Sequence, residues 1–530
     1  MRQLHSLSIR RFFSGTTISR ISGMMREISM TAIFGTHPSV AAFLVAFRFA
    51  NFLRRIVGEG PFQSAFTPCF EELRLENEKE ALYFFHKLTL WVILFIICII
   101  TIAQGTIWSI SLFLQVPTAI YEILQLTSVL LPASLFICLY GLNLSLLHSY
   151  NSFFIPSIAP TICNLIWIFG IYQVRHQATF PAMQTLAKWV VIGFIGQWLF
   201  TFLYIKKYLT FSWKEWFKPT FLSKISSLIK KVAISVLGVA ALQINGWIDA
   251  IIARYIDLRG PTYLWYGIRI QQLLLALIGI SCVHTITPYL TKMIKNSNID
   301  NAQEIFSRTY HLIVTMMIPC TFAIFGIGLP AVNLLYGRGN YSSDSIVQTG
   351  LCLWGYGLGL LPSTLILLFS SIFYAYDRPY IPLRISIITV ILNIVLNIFC
   401  TMNLECGAFA IAGMTSISSW VNCFLLYREL SHLGWHSKLD AARIMHLICA
   451  SLFALICCFS IYPASLLAPF MKEPYGLSRV GINQIGALLM QICTFWGSLL
   501  VYSCIVKKND FISCLRLFFY KNIIKEIETS

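Results

Sequence analysis

The stretch AFLVAFRFANFLRRIVGEGPFQSAFTP, Ala42 to Pro68, sets three arginines and one carboxylate among apolar and aromatic residues. Arg48, Arg54 and Arg55 carry charge that a protein cannot remove by deprotonation. A helix of this length can cross a bilayer, so its charge must face water, a partner or an anionic ligand. In helical geometry Arg48 and Arg55 lie about two turns apart on nearly one face, with Arg54 roughly 100° round. Glu59 follows Arg55 by about one turn and could pair with it, while Gly58, Gly60 and Pro61 should loosen or kink the helix.

Other apolar segments hold further polar groups: Ser19, Arg20, Arg26 and Glu27, then Gln243, Asn245 and Asp249, then Arg269, Gln271 and Gln272. Arg20, Arg26, Arg48, Arg54, Arg55 and Arg269 outnumber Glu27, Glu59 and Asp249. Surplus arginine suits a multiply charged anion, because guanidinium forks match phosphate oxygens and low dielectric strengthens each contact. A diphosphate is the natural ligand. The competing reading is internal pairing, Arg26 with Glu27 and Arg55 with Glu59, with Arg48 snorkelling to the interface. Asp249 and Asn393, the latter one turn before Asn397, make a candidate cation site to which Asp377 is a further candidate. Asp377 lies in YDRP, where capping a helix start is the simpler role. The Asn pair also suits hydrogen bonding between helices.

The elements that must position these groups are membrane helices. The 530 residues are 57% hydrophobic and 12% charged, with mean hydropathy +0.72, against about 25% charged in soluble chains. Apolar runs recur from end to end, which predicts an all-α polytopic membrane protein. We expect about fourteen spans, near 15–34, 38–70, 82–114, 121–149, 155–173, 183–205, 227–256, 262–290, 304–334, 344–374, 381–401, 408–429, 441–468 and 480–506. The net charge of +17 is spread over loops and is no nucleic-acid footprint. With both termini cytoplasmic, basic residues concentrate inside, at Lys206, Lys207, Lys214 and Lys218 for example, under the positive-inside rule. The sixteen cysteines show no metal-ligand spacing and read as small hydrophobes. No cleaved signal peptide is expected from the basic first residues.

An internal repeat is visible. Leu44–Glu71 resembles Leu264–Lys292, each with an early Arg (Arg48, Arg269) and a late Thr-Pro (Thr67-Pro68, Thr287-Pro288). Tyr150 to Pro156 likewise matches Tyr376 to Pro382 in its Tyr, Ile and Pro. This predicts two pseudo-symmetric six-helix lobes plus two C-terminal helices. The expected division is a cytoplasmic lead at 1–14, an N-lobe at 15–205, a cytoplasmic linker at 206–226, a C-lobe at 227–429, helices 13 and 14 within 430–506 as a groove for a lipid tail, and a cytoplasmic tail at 507–530.

Ser19-Arg20-Ile-Ser-Gly23, Arg26-Glu27, Ile33-Phe34-Gly35, Phe47-Arg48, Asn51-Phe-Leu53-Arg54-Arg55, Glu59-Gly60 and Pro68 together resemble the MurJ/MviN family. Tyr336-Gly337-Arg338-Gly339, Phe373-Tyr374-Ala375 and Thr415-Ser416 agree. The resemblance covers essentially the whole chain. It implies a lipid II flippase of the peptidoglycan pathway, within the multidrug/oligosaccharidyl-lipid/polysaccharide exporter superfamily. It also implies a cationic central cavity, and a groove for the polyprenyl tail formed by the last two helices. By motif the family's cavity arginines fall on Arg20, Arg26, Arg54 and Arg269, and its glutamate on Glu59. Two departures leave the chain more positive: Ala41 and Ile268 stand where relatives can carry Asp.

The expectation is therefore a transporter and not an enzyme. It would carry lipid II, a polyprenyl-diphosphate disaccharide-peptide, across the bacterial inner membrane by alternating access for cell-wall synthesis and cell shape. The substrate contacts would be Arg20, Arg26, Arg48, Arg54, Arg55, Arg269 and Glu59. No organic cofactor is expected, the drive being Na+ or the membrane potential, and the partners being lipid II and membrane lipids around a monomer. The alternatives are export of another polyprenyl-linked oligosaccharide, a multidrug or cation antiporter, and a membrane glycosyltransferase. Surplus Arg argues against cationic cargo, and the longest loop, about 206–226, offers Glu215 alone for catalysis.

Overall fold

In lipid every backbone N–H and C=O needs a partner within the protein, and a helix supplies it locally. The computed structural model describes residues 2–53, 61–208, 243–403, 407–436, 441–461 and 482–505, and all elements among them are helical. The chain divides into two compact units, Met1–Ile251 and Ile252–Ser530.

The first unit holds α1 (Arg2–Phe34), α2 (Pro38–Leu53), α3 (Pro61–Glu76), α4 (Glu78–Phe113), α5 (Thr118–Leu130), α6 (Ala133–Ser149), α7 (Phe154–Val174) and α8 (Thr179–Ile205). The expected N-terminal lead, residues 1–14, is helical from Arg2 and runs on into the rest of α1. α1 packs along α7, α7 along α8, and α2 against α5. Small residues allow close approach, as membrane helices require: a Cβ on Gly170 of α7 would lie 2.7 Å from Trp189 of α8. Phe66, Phe70, Phe84, Phe85, Leu142 and Leu146 form one core between α3, α4 and α6. The start of α9 (described over residues 243–256) belongs to this unit as far as Ile251. That boundary lies beyond the expected linker at 206–226, because Trp247 of α9 packs on Phe49 and Phe52 of α2, with ring centroids 4.0 and 4.7 Å apart. Beyond Tyr208 the linker lies outside the described residues.

The second unit holds α10 (Gly260–Leu274), α11 (Ser281–Lys295), α12 (Ile299–Tyr336), α13 (Ser343–Gly357), α14 (Leu360–Ala375), α15 (Tyr380–Asn403), α16 (Ala408–His432), α17 (Ala441–Ile461) and α18 (Ile482–Ile505). A six-residue π-helical segment, Leu275–Ile280, joins α10 to α11. It sits against α14, where a Cβ on Gly279 would lie 2.7 Å from Thr364 Oγ1. The 38-residue α12 packs on α11, α13, α14, α17 and α18.

The repeat takes physical form in two places. The α5–α6 pair bends by 45° and the α13–α14 pair by 40°. Each pair then ends in the same left-handed cap. Ser152 N donates to Leu147 O at 2.8 Å and Asn151 N to His148 O at 2.9 Å, with Asn151 at φ 56°. Arg378 N donates to Phe373 O at 2.9 Å and Asp377 N to Tyr374 O at 3.1 Å, with Asp377 at φ 55°. Asp377 therefore closes the end of α14 instead of capping the start of α15.

Among the described residues nine helices are long and apolar enough to span a membrane, or eleven if each bent pair is one span. The expected fourteen are compatible with this. α1 is too polar for that test, α2 and α3 are each 16 residues long, and α9 is described only in part. The described cysteines are all free thiols.

Candidate functional site

In the first unit the site is built on α1 and α7. Arg26 Nη1 donates to Asn164 Oδ1 at 3.0 Å. Its Nη2 reaches Glu27 Oε1 at 2.5 Å, with side-chain exposures of 16% and 12% for the pair. Its guanidinium lies 4.4 Å from the Trp167 ring centroid. A ring face holds a guanidinium by its quadrupole and leaves the N–H edge for other acceptors. Asn164 in turn donates to Ser22 Oγ at 2.9 Å and Ser19 O at 3.3 Å. Trp167 is wedged against Phe43 and Phe47, at centroid distances of 5.7 and 4.9 Å. Arg26 is thus aimed by a buried amide, a carboxylate and an indole.

Arg20, on the same helix, is exposed and makes no hydrogen bond or ion pair among the described residues. Arg48 is committed differently: its Nη1 donates to the Gly246 carbonyl at 2.5 Å, tying α2 to α9. Asp249 on α9 is buried, with Asn245 Nδ2 at 3.4 Å from its Oδ2. Arg54, Arg55 and Glu59 lie outside the described residues.

In the second unit Arg269 on α10 is half-buried, its guanidinium 4.3 Å from the Trp265 centroid one turn earlier. Gln271 donates to Tyr356 O at 3.0 Å, which holds α10 on α13. Each unit therefore presents an arginine backed by a tryptophan. Neither ring was singled out in the sequence. Trp265 precedes Arg269 by four residues and was in plain view, whereas Trp167 is far from Arg26 along the chain.

Of the candidate cation residues Asp249 belongs to the first unit, and Asp377 and Asn393 to the second. Asp377 is exposed at the end of α14, and Asn393 is buried on α15, roughly 20 Å along the helix from Tyr380 at 1.5 Å per residue. That stretch of α15 separates Asn393 from Asp377, which precedes the helix. Asn393, Asn397 and Thr389 instead line one face of α15, where Thr389 Oγ1 accepts from Asn422 Nδ2 of α16 at 2.9 Å. Among the described residues no cluster of three or more His, Cys, Asp or Glu could hold a metal ion. Ala41 is fully buried. The nearest described carboxylate contact in α2 is Ser39 Oγ donating to Glu122 Oε1 of α5 at 3.2 Å.

Comparison with known proteins follows from this geometry. The family model described as "Lipid II flippase MurJ" matches residues 30–481. A "Probable lipid II flippase MurJ" of Chlamydia pneumoniae is 30% identical over 516 residues, covering 96% of this chain and 93% of that protein. One of Rickettsia prowazekii is 28% identical over 504 residues, covering 91% and 95%. In fold the chain is similar to a solved "Lipid II flippase MurJ, inward closed conformation", with TM-score 0.73, 22% identity and coverage of 94% and 99%. It is also similar to an inward-facing multidrug resistance MATE transporter of the MOP superfamily, with TM-score 0.63, 12% identity and coverage of 79% and 95%.

Proposed function

The chain belongs to the MurJ family, and from that premise we propose that it is a transporter that moves lipid II from the inner to the outer leaflet of the plasma membrane. The observation that carries this reading is the family match over residues 30–481. The Trp-backed arginines supply the chemistry: Arg26 and Arg269 offer guanidinium edges to diphosphate oxygens in a low-dielectric setting. Movement of the headgroup needs no covalent step. It needs two states with different exposure and a ligand whose binding shifts their populations.

Within this reading Arg26, Arg54 and Arg269 are the diphosphate contacts, and Arg20, being exposed, makes first contact. Arg48 serves as a structural tie. Both termini are cytoplasmic, which fits the loop charges, and the chain works as a monomer. The membrane potential, which acts on every charge crossing the bilayer, favours outward passage of the anion and inward return of the cationic site.

The test is complementation in cells depleted of their own lipid II flippase, scored by growth and by headgroup exposure at the outer surface. Wild-type protein restores both, and Arg26→Ala or Arg269→Ala restores neither at equal membrane abundance. Normal exposure with both variants would remove the diphosphate role from these arginines. Failure of the wild type would remove the function.

A further inference from the structure

The first unit contains an open cavity lined by α4, α5 and α8, distinct in its lining from the Arg26 site. It measures about 720 Å³ and is widely open to the surface. It lies at the end of the unit where α1 passes into α2, the end marked by the Ser39–Glu122 hydrogen bond. Three carboxamides face it, Gln104, Gln125 and Gln184, with Ser128 and the rings of Trp108 and Tyr121. Among the described residues no charged side chain lines it.

The carboxamides are held in fixed orientations. Gln104 Nε2 donates to Ser128 O at 2.7 Å, and Ser128 Oγ donates to Gln104 Oε1 at 2.7 Å. Gln184 Nε2 donates to Gln125 Oε1 at 2.7 Å, and Gln125 Nε2 donates to the Tyr121 hydroxyl. Each primary amide has two donors and two acceptor lone pairs. The bonds named use one donor on each of the three amides and one lone pair on two, so oriented donors and acceptors remain for a ligand. Trp108, 68% exposed on α4, adds an aromatic face beside them. Polar groups on membrane-spanning helices are costly and mark functional surfaces, and a volume of this size falls within the range of small-ligand pockets.

The lining selects the ligand class. Its described lining offers a phosphate no cationic partner and an amine no carboxylate, so phospholipid headgroups and cationic drugs are poorly matched. Neutral amides, hydroxyls and an aromatic face match an uncharged, polyhydroxylated ring bearing amide groups. We propose that this cavity is a glycan subsite, which binds the sugars of the lipid-linked substrate separately from the diphosphate. This rests on the flippase reading above.

The test compares two lipids on the purified chain in nanodiscs: lipid II, and undecaprenyl diphosphate, which shares the diphosphate and the tail but has no sugar. Trp108→Ala and Gln184→Leu are each expected to weaken lipid II binding by ~5-fold, the effect of one lost hydrogen bond or ring contact. Binding of undecaprenyl diphosphate stays unchanged. Trp108→Ala is the safeguard against misfolding, since that side chain is largely exposed, and a melting curve checks both variants. Folded variants with unchanged lipid II affinity, or with equal losses for the two lipids, overturn the subsite and leave the flippase reading standing. A wild-type chain that binds neither lipid overturns the flippase reading, and the subsite with it.

Discussion

Replacing Glu27 with Gln is expected to tighten binding of a diphosphate lipid and to slow its transport. In the structure Glu27 Oε1 accepts from Arg26 Nη2 at 2.5 Å, and both side chains are mostly buried. A diphosphate bound at Arg26 competes with the carboxylate for the guanidinium. A hydrogen bond to a charged partner is worth about 1.5–3 kcal/mol against about 0.5–1.5 kcal/mol for a neutral one. Gln keeps the shape and an acceptor oxygen, so the competition weakens by about 1–1.5 kcal/mol. That corresponds to ~5–15-fold tighter binding. Because the gain applies to the bound state and not to the step that releases it, headgroup exposure in cells should fall. The assay is a dissociation constant for undecaprenyl diphosphate on purified protein, beside exposure rates in depleted cells. Glu71→Gln is the control: Glu71 pairs with Arg74 at 3.1 Å with side chains 38% and 31% exposed, where screening leaves little to change. Unchanged or weaker binding by Glu27→Gln would refute the claim that Glu27 competes for Arg26.

Three further outcomes are expected. Arg48→Ala should lower thermal stability in detergent by about 1.5–3 kcal/mol through loss of the charged bond to the Gly246 carbonyl, with little change in lipid affinity; a large affinity loss at unchanged stability would return Arg48 to the substrate contacts. Gly170→Leu should cost about 1–3 kcal/mol by forcing α7 from Trp189, read as a lower melting temperature. At the two left-handed caps, Asp377→Gly should raise stability by about 0.5–1 kcal/mol and leave transport intact, while Asn151→Val should lower stability by about 1–2 kcal/mol.

Hydropathy and loop charge were enough to read an all-helical membrane chain, because spanning helices are long and their signal is summed over about 20 residues. The Tyr150 and Tyr376 segments were legible as related, since a shared turn demands shared spacing. Their meaning was not: a short polar residue suits a helix start as well as a left-handed helix end, and only the backbone shows that Asp377 does the latter. Arg26 and Arg269 were visible as charges in apolar runs. The Asn164 and Trp167 side chains that aim Arg26 were hidden because they come from another helix, and an Asn or Trp in an apolar run carries no positional signal of its own. The cavity among Gln104, Gln125 and Gln184 was hidden for the same reason: single glutamines on three helices become a site only when the helices assemble.

The π segment at Leu275–Ile280 sets a phase. An i to i−5 ladder holds one residue more than an α-helical stretch of the same number of turns. Everything C-terminal to it, from Ser281 through Pro288 to Lys295, is therefore turned by roughly 100° relative to an unbroken helix that starts at Arg269. The angular setting between the arginine and the later face is thus a matter of residue count and not of residue type. Substitutions leave it alone, whereas a one-residue deletion within Leu275–Ile280 would reset it in a single step. Length variation here, otherwise damaging in a buried helix, becomes the mutational route by which the charged face and the proline-bearing face are brought into or out of register.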